Sequence, residues 1–362
     1  MEGKAAAPAL TVELAPEEGT GPGWLREKIR TLYPGYFALV MATGIISNGF
    51  FLLGLKPLSV AFFAIAVTAF VILAAATISR AVMFPRELWS DLVNPKWVFS
   101  FFTLVAGVNV LGIQLYMRDA ITPAIVLWLF SLLVWIPLSY LSFAVVTFRD
   151  TREGGGVMNG GWLIAIVGAE SIAALGGKLS TVITTGSDVV FVVAHAFWGI
   201  GMILYGIFAT LFANRLFFFR VTPEEMNPLF WVVMGAAAIT VNAGSAMIIA
   251  QSEIGYLSEL KPFVEGASLI LWAWATWWIP LLVIFGIWRH VVKKVPLTYS
   301  PMYWSLVFPL GMYTVATWQL ATADSFPFMK DIPSVTIWIA FTAWLITMTG
   351  LLHSLFRRRP PA

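Results

Sequence analysis

The chain has 362 residues, of which 59% are hydrophobic and 11% charged, and its mean hydropathy is +0.84. Soluble chains contain about 45–50% apolar and about 25% charged residues, so this composition excludes an ordinary soluble domain. The absence of cysteine excludes disulfide bonds, thiol nucleophiles, iron–sulfur clusters and thiolate zinc sites. The formal charge of +3 favours membrane orientation over nucleic-acid binding, because the basic residues belong to a very apolar chain.

Residues 1–33 contain scattered charges and no sustained apolar run, which predicts a mobile cytoplasmic tail. Ten apolar segments follow, each long enough for a helix that crosses a bilayer. These predicted spans are 34–54, 58–80, 97–117, 122–147, 158–177, 188–213, 228–250, 262–289, 302–322 and 333–354. We therefore predict an all-α integral membrane domain over 34–355, built of antiparallel helical hairpins, and a basic cytoplasmic tail over 356–362.

Capping patterns support several helix starts, because a polar side chain before proline satisfies the first backbone donors of a helix. Four polar residues precede a proline by one or two positions: Thr122, Asn227, Ser300 and Asp331. Thr222 and Glu225 have the spacing of a capping box, which predicts a short interfacial turn before span seven.

The basic residues are distributed unequally between the two sides of the predicted spans. Seventeen of the 22 Lys and Arg residues fall on the side of the N-terminus. The five on the opposite side are Lys56, Arg118, Lys178, Lys261 and Lys330. Cytoplasmic loops retain positive charge, so both termini are predicted to be cytoplasmic. Adding or removing one span would scramble this division, which favours ten spans.

Odd-numbered and even-numbered spans differ in composition. The odd spans hold 14 glycines and the even spans hold six, whereas span eight carries the tryptophans Trp272, Trp274, Trp277 and Trp278. Small residues let helices approach closely or leave room for a lumen. We interpret the odd spans as an inner set and the even spans as an outer set. The alternative is that glycine and tryptophan vary between helices without structural meaning.

The spans contain few groups capable of chemistry. No nucleophile lies beside a base, and no histidine spacing fits a metal, so neither a cofactor nor a metal site is expected. His195 is either a proton site or a hydrogen-bonded structural residue, whereas His290 and His353 lie at span ends. Glu170 is the only acid deep within a span, and ionising it there costs about 2.5–3.5 kcal/mol. It is either a proton site on a transport pathway or a structural group between helices.

Span nine combines a bend with a stripe of side chains. Pro309 removes a backbone donor and bends the helix, and Gly311 lacks a side chain. Helical spacing places Ser305, Phe308, Met312, Val315 and Gln319 on one face. Phe308 is therefore either a plug in a narrow lumen or an ordinary packed or lipid-facing residue.

An ordered set of motifs resembles the tellurite-resistance and C4-dicarboxylate transporter family, which includes the slow-type anion channels. The motifs are PGYFALVMATGI (34–45), GWL (161–163), ESIAALG (170–176), MGAAAIT (234–240), TWWIPLL (276–282) and FPLGMY (308–313). The resemblance implies five hairpins around a central pore, with odd helices inside. It also implies a homotrimer in which each protomer has its own pore.

The resemblance further implies that Phe308 narrows the pore. It makes Gly44, Gly107, Gly168, Gly244 and Gly311 candidates for lining that pore, together with Ser305, Met312 and Val315 on span nine. Glu170 departs from a neutral glutamine found in many bacterial relatives.

The predicted function is movement of small anions, such as halide, nitrate or malate-like dicarboxylates, across an inner or plasma membrane. One alternative is a proton-coupled C4-dicarboxylate or tellurite exporter that uses Glu170. The alternative of another class is an intramembrane enzyme or receptor. No nucleic-acid partner is expected.

Overall fold

The computed structural model describes residues 22–148, 159–250 and 255–356, and these residues form helices and turns without a strand. The two ends of the predicted tails, 1–21 and 357–362, lie outside the described residues. Ten described helices have at least 15 residues. They are α1 Ala38–Leu52, α2 Lys56–Met83, α3 Phe102–Tyr116, α4 Ile121–Phe148, α5 Ile164–Leu179, α6 Ser187–Phe218, α7 Val232–Ala250, α8 Lys261–Ile287, α9 Trp304–Ala323 and α10 Asp331–Phe356.

The all-α membrane fold is confirmed, but the count of ten spans is not. Within the described residues, nine helices are long and apolar enough to cross a membrane. The helix that is missing from those nine is α9, in which Pro309, Gln319 and several threonines lower the hydropathy. The tenth span therefore stays a prediction.

The helices form five hairpins in two layers. The hairpins are α1–α2, α3–α4, α5–α6, α7–α8 and α9–α10. The odd helices also pack against one another in a closed ring, in the order α1, α3, α5, α7, α9 and back to α1. In the apolar stretches of α1, α3, α5 and α7 with their leading turns, 83–94% of residues are buried, against 17–33% in the even helices. The predicted inner and outer sets are thus present in the structure.

Each inner helix begins with a short 3₁₀ turn. The turns are Pro34–Phe37, Val98–Phe101, Gly160–Leu163, Pro228–Trp231 and Pro301–Tyr303. Adjacent turns contact one another, so the turns form a second closed ring at the N-terminal end of the inner helices. All five inner helices therefore start at the same end of the molecule.

Side chains cap several of these turns. Asn227 accepts a hydrogen bond from the Leu229 backbone N–H at 2.9 Å, and Ser300 accepts one from Met302 at 3.4 Å. Both caps confirm the sequence prediction. The capping box is also present, since Thr222 N–H donates to Glu225 Oε2 at 2.8 Å. By contrast, α4 begins one residue before Thr122, and α10 begins at Asp331 itself.

The predicted N-terminal tail requires a correction, because its last part is helical. Residues Pro22–Arg30 form an amphipathic helix that packs against α2. Arg80 anchors this helix by donating from Nε to the Arg30 carbonyl at 3.0 Å, and it also pairs with Asp91 at 2.7 Å. The many charged residues of this segment made it resemble a solvated tail. One of them, Arg26, packs against an aromatic ring, because its guanidinium lies 5.6 Å above the Phe84 ring.

Candidate functional site: a constriction inside the ring

A narrow cavity lies inside the ring near the N-terminal ends of the inner helices. All five inner helices contribute to its wall, which is formed by Ala38, Met41, Thr103, Ile164, Val167, Val232, Ser305 and Phe308. Its volume for water is about 10 Å³, roughly the room of a single water molecule. The ring is therefore nearly closed at this level.

Phe308 and Ser305 are the contributions of α9 to this wall. Phe308 is only 2% exposed, so its ring does not face lipid, and it forms part of the cavity wall. Pro309, the next residue, packs against Gly235 of α7, which fixes the start of α9 beside its neighbour. Helical spacing predicts that Phe308 and Ser305 share one face of α9, and both side chains line the cavity.

The wall carries hydroxyl groups and no charge. Thr103 Oγ1 donates to the Ser100 carbonyl at 2.7 Å, which ties α3 to its leading turn. Ser305 makes no side-chain hydrogen bond within the described residues, so its O–H is available to a species in the cavity. A neutral wall with a free hydroxyl can donate to a small anion without trapping it at a fixed charge.

Aromatic side chains surround the entrance formed by the 3₁₀ turns. The Tyr33 ring lies edge-on to Trp97 at 5.6 Å, and its hydroxyl approaches Ser100 Oγ at 3.4 Å. Burial raises the pKa of Tyr33 above its ordinary value, so this phenol stays neutral at physiological pH. The Lys96 ammonium lies 4.7 Å above the Trp97 ring. Basic groups therefore lie close to these aromatic rings, together with the carboxylates of Glu224 and Glu225.

Met312 and Val315 lie further along α9, outside the cavity wall. Both are buried, with exposed fractions of 1% and 3%. Val315 leans toward α1, since a Cβ built on Gly49 would lie 3.8 Å from Val315 Cγ2. Spacing along α9 keeps Met312 on the face of Ser305 and Phe308.

None of the five candidate glycines is among the residues that form this cavity wall, and their lining of a longer passage stays a prediction. Four of them face a neighbouring inner helix: Gly44, Gly107, Gly168 and Gly311. Gly244 instead faces the outer layer, where a Cβ would overlap Ser268 Oγ and lie 3.3 Å from Trp198 Nε1. The structure uses these glycines for close helix packing.

Glu170 also lies away from the cavity. Its side chain is fully buried and points at α6, where a Cβ built on Gly201 would overlap Glu170 Oε1. The Thr240 side chain of α7 is near the carboxyl group, but neither carboxyl oxygen has a hydrogen-bond partner of good geometry within the described residues. A neutral carboxylic acid fits such a site, since an unpaired buried carboxylate is costly. Of the two interpretations of Glu170, the placement favours the group between helices.

The histidines do not converge on a site. His195 is half-buried on α6, and its Nδ1 lies 3.1 Å from the Phe191 carbonyl oxygen. His290 Nδ1 lies 2.8 Å from the Val295 carbonyl oxygen, beyond the end of α8. Within the described ranges, no three His, Asp or Glu side chains are grouped as metal ligands.

Sequence reasoning missed most of the wall. Met41, Ile164, Val167 and Val232 are ordinary aliphatic residues that carry no chemical signature. The signal that identifies them is positional, because each lies within the first two turns after an aromatic-rich 3₁₀ turn.

Comparisons with known proteins match nearly the whole chain. Residues 31–352 match the family described as voltage-dependent anion channel. A membrane protein of Mycobacterium tuberculosis, whose name gives no function, is 41% identical over 42% of this chain and 78% of its own length. A protein named as a transporter in Methanocaldococcus jannaschii is 24% identical over 92% of this chain and 97% of its own length. A sulfite efflux pump of Trichophyton rubrum is 21% identical over 88% of this chain and 89% of its own length.

Proposed function

The chain belongs to the voltage-dependent anion channel family, and we propose that the ring of five inner helices is the passage through which it moves small anions. The chain is a multi-pass membrane protein and an anion channel or transporter rather than an enzyme. The observation that supports the proposal is the narrow cavity whose wall is built from all five inner helices and includes Phe308.

The arrangement of the inner helices favours anions. Each helix has a partial positive charge at its N-terminus, and all five N-termini meet at the entrance. The seventeen basic residues predicted for that side add to the same field. Since the wall of the constriction is uncharged, an anion is attracted to the entrance but not held inside.

Phe308 is proposed as the gate, with Ser305 as the nearest donor to a passing anion. We further propose halide, nitrate and malate-like dicarboxylates as cargo. Small oxyanions such as sulfite join this group, because relatives of the chain are named sulfite efflux pumps. Anion-substituted current recording of the purified protein in planar bilayers tests the function. Reversal potentials that follow the anion gradient support it, and those that follow a cation gradient contradict it.

We propose that the protein lies in the inner or plasma membrane. In the proposed topology, α9 is the tenth span and both termini are in the cytoplasm. The support is the division of basic residues and the closed ring, which α9 completes. A homotrimer with one passage in each protomer remains a proposal that rests on the resemblance.

Reporter tags test this topology. Tags inserted after residues 10 and 358 are expected to report the cytoplasm, and a tag near Lys261 is expected to report the outside, because positive loops stay inside. Protease protection or reporter activity in whole cells gives the measurement. Opposite locations for the two termini would mean an odd number of spans and would overturn the architecture.

The alternative of a proton-coupled exporter needs Glu170 on the passage, whereas its carboxyl lies against Gly201. Glu170→Gln is therefore expected to leave the pH profile of anion flux unchanged, since glutamine fills the same site without titrating. Flux assays of both proteins from acidic to alkaline pH give the comparison. Loss of a pH dependence in the variant would restore the proton-coupled alternative.

A stability measurement on Gly201→Ala checks the same placement. The added methyl group would overlap the Glu170 carboxyl, so we expect the free energy of unfolding to fall by about 1–3 kcal/mol. In the double variant Gly201→Ala/Glu170→Ala, the shorter side chain at position 170 is expected to recover part of that lost stability. Gly199→Ala is the matched control on α6, because no atom lies within 4 Å of its Cβ position.

A further inference from the structure

A lysine lies at the C-terminal end of the ring of inner helices, opposite the constriction. Lys178 lies in the last turn of α5, and it is half-buried. It follows the wall residues Ile164 and Val167 by 14 and 11 residues, which are close to four and three whole helical turns at about 3.6 residues per turn. Lys178 therefore continues the face of α5 that lines the cavity.

The neighbours of α5 support this orientation. Gly176 faces the outer layer, since a Cβ there would lie 3.1 Å from Trp128 Nε1 and 3.2 Å from Ala194 Cβ. Two residues further along a helix, a side chain points roughly the opposite way. Helical spacing thus directs Lys178 toward the inside of the ring, away from the outer helices.

Lys178 forms no ion pair with another residue of the described ranges. Its sequence neighbours on α5 are glycine and leucine. An unpaired cation inside a ring of apolar helices is stabilised when an anion binds beside it.

Uncharged polar side chains lie at this end of the ring, among them Asn48 and Gln319. Gln114 of α3 is also there, and it packs against Gly44. Asn48 follows the wall residue Met41 by seven residues on α1, and it is 1% exposed with both amide atoms unpaired within the described residues. Gln319 follows Phe308 by 11 residues on α9. Spacing places the Asn48 and Gln319 amides on the lining faces of their helices, near the C-terminal ends.

We propose that Lys178, assisted by Asn48 and Gln319, forms a binding site for a small inorganic anion at the C-terminal end of the ring of inner helices. The C-terminal ends of five inner helices meet there, and their partial negative charge repels an anion. Lys178 offsets that repulsion, and the two amides supply N–H donors. This site rests on the proposed function, since it lies on the same passage as Phe308.

Cysteine substitution tests the site directly, because the chain contains no cysteine. Lys178→Cys is expected to lower chloride current by about threefold or more at low chloride, where a local charge matters most. A positively charged methanethiosulfonate reagent added from the outside should restore the current. A negatively charged one should reduce it further. The matched control is Lys56→Cys, at an exposed lysine on the same side, with current insensitive to both reagents.

A wild-type current in Lys178→Cys, insensitive to both reagents, would overturn the site while leaving the passage intact. Absence of anion current in the parent protein would instead contradict the proposed function, and reagent labelling measured by mass would still report whether position 178 is water-lined. Should the cysteine variant misfold, Lys178→Arg and Lys178→Gln replace it. Arginine is expected to retain the current at low chloride and glutamine to lose it, and equal currents would contradict the site.

Discussion

Phe308→Ala is expected to raise the anion conductance severalfold while the protein remains assembled. The cavity at Phe308 holds roughly one water molecule, and the phenyl ring is the largest side chain in its wall. Removing that ring leaves the neutral wall and the Ser305 hydroxyl in place, so an anion loses less of its hydration when it passes. Single-channel recording or anion flux into vesicles, normalised to the amount of protein, measures the change.

Phe50→Ala is the control for this variant. Phe50 is fully buried, but it packs outward against Phe62, Trp338 and Phe341 of the outer layer rather than into the cavity. Truncating a buried phenylalanine costs about 3–5 kcal/mol in soluble cores, so both variants should lose stability. Only Phe308→Ala should gain conductance. Equal currents in Phe308→Ala and the parent would show that the ring does not close the passage.

The two-layer fold could be predicted because buried helices and lipid-facing helices differ in amino-acid composition. A helix that is surrounded by other helices needs small residues for close approach, and α5 accordingly carries Gly168, Gly176 and Gly177. An outer helix faces lipid, where large apolar residues such as Leu133 of α4 remain 73% exposed. Alternation of these two compositions along the chain therefore identifies the inner and outer sets.

The direction of individual side chains could not be predicted in the same way. Periodicity groups residues on one face of a helix, but it does not say which neighbour that face meets. Ser305 and Phe308 lie together in the cavity wall, whereas Gly244 packs against outer helices and Glu170 packs against Gly201 of α6. That choice depends on the rotation of α5 and α7 against their partners, which only the packed structure fixes.

The helix Pro22–Arg30 was missed for a related reason. Its composition resembles a solvated tail, and its order depends on contacts far along the chain, such as the hydrogen bond from Arg80 to Arg30. The sequence predicts that Lys178 is a basic residue on the side opposite the termini, and this stays a prediction. Its position on the lining face became apparent only when Ile164 and Val167 were located in the wall.

Gly160→Ala is expected to be the most disruptive small substitution in the ring of 3₁₀ turns. A Cβ at Gly160 would overlap the Leu229 carbonyl oxygen and lie 2.6 Å from the Leu229 carbonyl carbon. Both are backbone atoms, so no rotamer change relieves the contact, and the turn before α5 must separate from the turn before α7. Overpacking costs about 1–3 kcal/mol or more.

The expected result is a lower unfolding temperature together with a reduced anion current, because the same two turns position Ile164 and Val232 in the cavity wall. Thermal unfolding followed by tryptophan fluorescence and vesicle flux measure the two effects. Gly161→Ala should be milder, since its Cβ would meet the movable Asn159 side chain at 2.7 Å, and Gly266→Ala should be neutral, with no atom within 4 Å. If Gly160→Ala were as stable and as active as Gly266→Ala, the turns would not be in contact, and the ring would not set the width of the constriction.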